Sequence, residues 1–316
     1  MILNKVNNID FLDNDLPDKC AKLIIADPPY YKVKGDFDFI WKTFDDYLKD
    51  VEKWAIECKR ILADNGTLFW YGGSKNIAYA QIIFDKHFNL INNLTWNKGS
   101  FMGLEESEGL RSFAPCTERI LMYANKEDNF VVDHLQKYLL SEFKKCGKPV
   151  SFYKKLCGFT GNQPYNWFTP NNNGKAQWAF PTKEHYLKLK NTGFFQKEYE
   201  QLKKEYEILK QEREYLRRPF NNRFNLQEVL NFSNEQAKTG AKYDHDTVKP
   251  ETLTRALILT CSRENDLVVV PFAGSGTECA MSAKEKRPFI GYEITEKHAK
   301  MSQERANKIL SEPTMF

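Results

Sequence analysis

Asp27-Pro28-Pro29-Tyr30 sets a carboxylate, two residues without an N–H and a phenol ring in a row. Consecutive prolines stiffen the turn and remove two donors. They leave acceptors, the Asp27 carboxylate and the Pro28 carbonyl, beside the flat face of Tyr30. Such a set suits an exocyclic amino group on a planar base, which donates two hydrogen bonds while its ring stacks. A plain loop in which Pro-Pro starts a helix is the alternative reading of these four residues alone. A second segment, Pro271-Phe272-Ala273-Gly274-Ser275-Gly276-Thr277, is a glycine-rich turn that lets backbone approach a ligand. A dinucleotide fingerprint needs a third glycine where Cys279 stands, and an ATP-binding loop needs Gly-Lys where Gly276-Thr277-Glu278 stands. A nucleoside without a phosphate chain therefore fits better. Glu293, about 17 residues on, ends the next strand pattern, where an acid can hold ribose hydroxyls. A tight turn followed by an ordinary strand-end Glu is the alternative here.

Both turns follow buried-strand patterns, Lys22-Leu-Ile-Ile-Ala26 and Leu267-Val-Val-Val270. Helix-period apolar residues run from Asp46 to Leu62, and Asp64-Asn65-Gly66 reads as the break before a strand at Thr67–Tyr71. Further patterns predict a helix over Ile77–Phe84, strands over Leu90–Trp96 and Arg119–Tyr123, and a helix over Pro250–Cys261. After the glycine-rich turn come a helix to about Lys286, a strand over Phe289–Glu293 and a helix over Thr295–Leu310, capped by Thr295. Strand–helix alternation argues for an α/β fold, a parallel sheet with helices on both faces. Ligands bind at the carboxyl edge of such a sheet, so both turns are expected to face one cleft. The middle third breaks this grammar and reads as an inserted, mostly helical domain. The expected organisation is 1–125, an insert over 126–244, and 245–316. Within the insert, Phe195, Tyr199, Leu202, Tyr206, Leu209 and Leu216 mark a long charged helix over 195–216. Packing on the protein's own body is expected for it rather than a coiled coil.

Residues 126–244 carry 21 Lys and Arg against 14 Asp and Glu, and the remainder carries 25 against 28, so the net positive charge of +4 lies in the insert. With 41% apolar and 28% charged residues the chain is neither disordered nor collagen-like. No apolar run approaches a membrane span, and the first residues lack an apolar signal core, so a cytoplasmic protein is expected. Seven scattered cysteines without a Cys-x-x-Cys pair indicate neither a disulfide framework nor a zinc site.

The two turns in this order, with the insert between them, resemble the beta class of DNA amino-methyltransferases. His245-Asp-Thr-Val-Lys-Pro250 resembles the family's His-Pro-Thr-x-Lys-Pro segment, Asn8-Ile9-Asp10-Phe11 its N-terminal Gly-Asp segment, and Trp96-Asn97-Lys98 its Trp-x-Lys. The resemblance covers roughly residues 4–124 and 243–310. It implies a Rossmann-like methyltransferase fold in circularly permuted order, S-adenosylmethionine as methyl donor and double-stranded DNA as substrate. By the same resemblance Glu293 takes the ribose hydroxyls, and Asp10 accepts from the cofactor's adenine, with Phe11 and Ile294 against its faces. The backbone from Pro271 and Phe272 to Gly276 approaches the methionine part, with Thr247, Lys249, Asp27 and Thr277 nearby. Asp27, Pro28, Pro29 and Tyr30 hold the target base. The sequence departs from the family at Val270, where Asp is usual, and at Asp246, where Pro is usual. The first departure puts cofactor affinity in doubt.

In this reading Asp27 and the Pro28 carbonyl accept the amine's two N–H bonds, and its lone pair attacks the methyl in line. The base must first be flipped out of the duplex. Asp at the first position of the catalytic turn favours adenine N6 over cytosine N4 in the family. Cytosine C5 chemistry needs a Cys nucleophile, and Pro115-Cys116 resembles such a turn without cofactor segments around it in the expected order. Target recognition is expected from the insert. Two short helices flank Cys146-Gly-Lys-Pro149, surrounded by Lys144, Lys145, Lys148, Lys154 and Lys155 and followed by Tyr165-Asn-Trp-Phe168. Arg217, Arg218 and Arg223 form a second basic cluster, which suits the DNA backbone or simply ends the long helix. A homodimer and a cognate restriction endonuclease are partners that the resemblance leaves open. So is a non-catalytic DNA-binding relative of the same fold.

Overall fold

The structure is a computed structural model that describes residues 1–32, 38–99, 111, 113, 115–125, 134–160, 165–168, 179–233 and 248–312. Among these residues one eight-stranded sheet is built from β1 (Lys5–Asn7), β2 (Ala21–Ala26), β3 (Leu62–Gly72), β4 (Phe88–Asn97), β5 (Thr117–Asn125), β6 (Val229–Asn231), β7 (Val268–Val270) and β8 (Phe289–Tyr292). The spatial order is β1-β8-β7-β2-β3-β5-β4-β6. The first strand and the last two thus form one end of the sheet, as the permuted chain order requires. β2 and β7 are central and pair in parallel, with Leu23 opposite Val268 and Ile24 opposite Val269. Both are fully buried from Leu23 to Ala26 and from Val268 to Val270, which explains their unbroken apolar sequence. Because the two strands run the same way as neighbours, Asp27 and Pro271 leave the sheet side by side.

The sheet is mixed where an all-parallel one was expected. β5 lies between β3 and β4 and runs antiparallel to both. No helix is described between β4 and β5, and antiparallel pairing needs no crossover. The Asp64-Asn65-Gly66 signal marks no loop. β3 continues through it, and its pairing with β2 jumps from Ala21–Leu62 to Leu23–Thr67, so the turn residues are absorbed as a bulge.

Helices cover both faces of the sheet. On one side lie α1 (Phe44–Ile61) and α2 (Ile77–His87). Thr43 caps α1 by accepting from the Asp46 N–H, with Asp45 and Asp46 in the first turn and Lys59 and Arg60 in the last. Its buried stripe, Tyr47, Val51, Trp54, Ala55, Cys58 and Ile61, packs under Ile24 and Ala26 of β2. Among the described residues, five helices belong to a separate compact unit, Asn129–Arg217: α3 (His134–Cys146), α4 (Val150–Cys157), α5 (Tyr165–Phe168), α6 (Lys183–Lys190) and α7 (Tyr199–Leu216). On the other face of the sheet lie α8 (Glu251–Cys261), α9 (Thr277–Lys284) and α10 (Glu296–Ser311), against Leu23 and Ile25. Thr295 occupies the N-cap of α10 but its side chain makes no cap hydrogen bond, contrary to expectation.

The helical unit has its own core, in which Leu135, Leu139, Tyr153, Tyr186, Leu189 and Leu202 are fully or almost fully buried. It is shorter than the expected 126–244. Residues from Arg218 belong with the sheet unit, because Val229–Asn231 pairs with β4 and the Trp96 indole donates to the Phe232 carbonyl at 2.8 Å. Leu202 of α7 is buried and Tyr199, Tyr206 and Leu209 pack on the same core, whereas Leu216 is exposed. The helix therefore uses its first turns to pack on its own unit.

Candidate active site

The turn after β2 is held from three sides. The Tyr47 hydroxyl donates to the Pro29 carbonyl at 3.1 Å, the Tyr30 N–H to Asp38 at 2.6 Å, and the Asn76 amide to the Tyr30 carbonyl at 2.8 Å. These bonds fix the Asp27 and Tyr30 side chains against each other. The Tyr30 hydroxyl donates to Asp27 Oδ1 at 2.6 Å, and Lys249 Nζ sits 2.7 Å from Asp27 Oδ2. The same ammonium lies 3.3 Å from Glu118 Oε2, which is also 3.2 Å from the Tyr30 hydroxyl, and Glu118 Oε1 pairs with Lys98 at 2.6 Å. Lys98, Glu118, Lys249 and Asp27 thus form a chain of alternating charge. The rings of Tyr30, Tyr71 and Trp96 surround Lys249 with centroids 5.2 to 5.9 Å from Nζ.

Antiparallel β5 is what brings Glu118 here. Glu118 is the second residue of β5 and pairs with Trp96, near the end of β4. A parallel strand at this position would have put its first residues at the opposite edge of the sheet.

The network sets the protonation of its members. Burial pushes the Asp27 carboxyl above the usual range, and Lys249 only partly offsets this. Burial also pushes Glu118 up, but Lys249 and Lys98 together more than reverse it and hold it low. For Lys249 burial favours the neutral amine, and Asp27 and Glu118 outweigh it and keep the ammonium. Glu278, at the second position of α9, is a further buried carboxyl, pushed up to about 7 by burial and then by Asp27. Its Oε1 and the Tyr71 hydroxyl are buried without a hydrogen-bond partner among the described residues.

The second turn leaves β7 beside the first. Gly274 N donates to Glu293 Oε2 and Thr295 N to Glu293 Oε1, each at 2.9 Å, so this carboxylate faces the turn. Asn8 donates to the carbonyls of Glu293 and Ile294, at 2.9 Å each. β1 pairs with β8, so Asp10 and Ile294 emerge at one edge, and both are exposed. Asp10 Oδ1 accepts from the Leu12 N–H at 2.9 Å and so caps the short turn that follows β1. Phe11 does not offer an open face. It is 2% exposed, with its ring on Tyr292 and Phe272, and supports the turn from beneath. Gly276 has φ +78°, and a Cβ there would lie 2.6 Å from Ser302 Cα, so α10 packs directly against this glycine. Arg305 of α10 holds the turn by donating to the Ser275 carbonyl at 3.1 Å and to Thr277 Oγ1 at 2.8 Å, and Thr277 Oγ1 reaches the Lys249 carbonyl at 3.3 Å. Ala273 and Val270 are core residues. Thr247 lies outside the described residues.

The expected DNA contacts divide between the two units. Lys144 and Lys145 end α3, Lys154 and Lys155 end α4, and Lys148 lies in the connection. Lys145 pairs with Glu142 at 2.6 Å, and Lys148 Nζ lies 6.0 Å over the Phe152 ring. Trp167 and Phe168, expected to meet bases, are buried in the helical core. Arg217 pairs with Glu214 at 3.5 Å, while Arg218 donates to Thr67 at 3.3 Å and Arg223 stacks on Phe224, both in the sheet unit. Cys116 accepts a backbone bond from the Lys98 N–H just before β5.

No local pattern in the sequence points to Glu118, Glu278, Tyr71 or Arg305 as site residues, and Lys98 stands out only within Trp96-Asn97-Lys98. Each ends up at the site through pairing or packing remote in sequence. The nearest thing to a local signal is an acid opening a strand at Thr117-Glu118.

A family model described as DNA methylase, for N6 and N4 enzymes, matches residues 21–304. The DNA adenine methyltransferase YhdJ of Escherichia coli K12 is 26% identical over 92% of this chain and 77% of its own. Two solved structures share the fold, each with a TM-score of 0.53. The M1.HpyAVI–SAM complex is 16% identical and covers 96% of this chain and 98% of its own. The PvuII cytosine-N4-specific DNA methyltransferase is 13% identical and covers 97% and 92%.

Proposed function

The chain is a member of the N6/N4 DNA methylase family, and we propose that it methylates the N6 amino group of an adenine flipped out of duplex DNA, with S-adenosylmethionine as donor. The observation that carries this is the Asp27 carboxylate, held between Lys249 and Tyr30 at the sheet edge beside the glycine-rich turn. The donor supplies an electrophilic methyl on a sulfonium. Everything else falls to the chain's own groups. Asp27 and the Pro28 carbonyl accept the amine's N–H bonds and aim its lone pair. Tyr30 stacks on the base, recovering about 1–3 kcal/mol of the flipping cost. Once the amine has reacted it must lose a proton, and Asp27, the raised carboxyl of the network, is the nearest base for it. Glu293 holds the ribose, Asp10 the cofactor's adenine amine, and Ile294 covers the adenine. The backbone of Phe272 to Gly276 lines the methionine part. Lys249, whose ammonium rests on Asp27 and Glu118, acts on the carboxylate itself. The lysines of α3 and α4, with Arg217, Arg218 and Arg223, contact DNA phosphates.

The test is mixed-sequence duplex DNA with isotope-labelled S-adenosylmethionine, followed by mass spectrometry of the nucleosides. Labelled N6-methyladenine that disappears with Asp27→Ala is expected. Labelled N4-methylcytosine would overturn the choice of base.

A further inference from the structure

We infer that Glu118 is a positioning residue for methyl transfer: by holding Lys249 and Tyr30 in common with Asp27, it keeps the Asp27 carboxylate able to receive the substrate amine. This rests on the reading of Asp27 as the amine acceptor.

Asp27 faces two opposed demands. A buried carboxylate needs a counter-charge to stay ionised, yet a carboxylate saturated by its own protein donors is a poor acceptor for a substrate. Both Asp27 oxygens are engaged, Oδ1 by the Tyr30 hydroxyl at 2.6 Å and Oδ2 by Lys249 at 2.7 Å. Glu118 Oε2 stands 3.2 and 3.3 Å from the same two donors. It is therefore an alternative partner for both when the amine arrives. It is also fixed in place, because its other oxygen pairs with Lys98 at 2.6 Å. Lys98 in turn lies 5.4 Å from the Trp96 ring, next to Glu118 across the strand pair.

A proton relay from Asp27 through Tyr30 to Glu118 is the rival use of the same geometry. The charges oppose it. Glu118 is held low between two ammoniums while Asp27 is raised by burial, so a proton released from the amine stays on Asp27. Glu118 remains the permanent anion of the pair.

The two roles separate on removing the charge alone. In Glu118→Gln one neutral amide oxygen replaces the carboxylate, so Lys249 and the Tyr30 hydroxyl are drawn more strongly to Asp27, and the repulsion from the Glu118 charge is lost. Both changes lower the Asp27 pKa and weaken it as an acceptor. The experiment is the pH profile of single-turnover methyl transfer to duplex DNA for wild type, Glu118→Gln and Glu118→Asp. Cofactor affinity is measured alongside by tryptophan fluorescence. The expected result is a rate about 10- to 100-fold lower in Glu118→Gln, with an acid limb about one pH unit lower and cofactor affinity within about threefold. Glu118→Asp restores the position of the acid limb. An acid limb unmoved or moved upward in Glu118→Gln overturns the inference, whatever the rate. An independent readout is the carboxyl 13C titration of Asp27, identified by its loss in Asp27→Asn. A lower midpoint in Glu118→Gln supports the inference and an unchanged one overturns it. That readout stands even if wild type methylates no DNA, a result that would sink the proposed substrate instead.

Discussion

Lys249 Nζ stands 2.7 Å from an Asp27 carboxylate that burial has already pushed toward protonation. Removing this ammonium in Lys249→Met takes away the cation that opposes burial. The Asp27 pKa then rises further, and at neutral pH a larger fraction carries a proton and cannot accept the amine. We expect methyl transfer to fall at least about 100-fold at pH 7 and to recover partly as pH rises, read from single-turnover rates between pH 6 and 9. An equal loss at every pH would mean that Lys249 acts elsewhere. Glu278 carries a second prediction, which concerns stability. Its unfolded value is near 4.5 and its folded value about 7, so between these the folded state retains a proton that the unfolded chain has lost. Stability therefore drops as pH rises through this window, and the penalty persists above it. Glu278→Gln is expected to stabilise the protein at pH 8, on the order of 2 kcal/mol, and to change little at pH 4.5. Thermal midpoints at the two pH values check this. Asp27 and Tyr30 were legible as chemistry because their types and adjacency carry it. Glu118 and Glu278 were not, because a buried acid looks like a surface acid until its surroundings are known.

Gly276 shows how one element constrains another. Its positive φ costs any side-chain-bearing residue, and the nearest atom to a new Cβ is Ser302 Cα, a backbone atom of α10 at 2.6 Å. Gly276→Ala is expected to cost roughly 2–4 kcal/mol even without cofactor, because α10 must shift. Calorimetry of the ligand-free protein measures it, and an unchanged midpoint would mean that the packing of α10 does not depend on this glycine. At this scale the sequence was read well where a pattern is local. The unbroken apolar runs of β2 and β7 and the stripe of α1 appear at or within a few residues of their expected bounds. It was read less well where pairing decides. Asp64-Asn65-Gly66 has the composition of a turn, yet β2 and Asn125, which donates to the Leu62 and Ala63 carbonyls, hold it in a strand.

Of the two compact units, Asn129–Arg217 carries 16 Lys and Arg against 9 Asp and Glu, so the net positive charge lies on the helical one. Lys144, Lys148 and Lys155 are exposed there. Changing these three to Gln is expected to weaken duplex binding across sequences and to reduce its salt slope by up to about 3. Cofactor affinity should stay as in wild type. Anisotropy at several salt concentrations would show this, and an unaltered slope would remove these lysines from the interface. By itself the sequence determined the buried strands, the two turns that follow β2 and β7, and the basic character of the middle third. These depend on residue type, period and short spacing. Only the tertiary structure decided that β5 runs antiparallel, that Glu118 and Lys98 meet Lys249, that Phe11, Trp167 and Phe168 are core, and that 218–233 returns to the sheet. Those outcomes depend on which strand edge is free and which atoms are already covered, and neither is a property of any local stretch of chain.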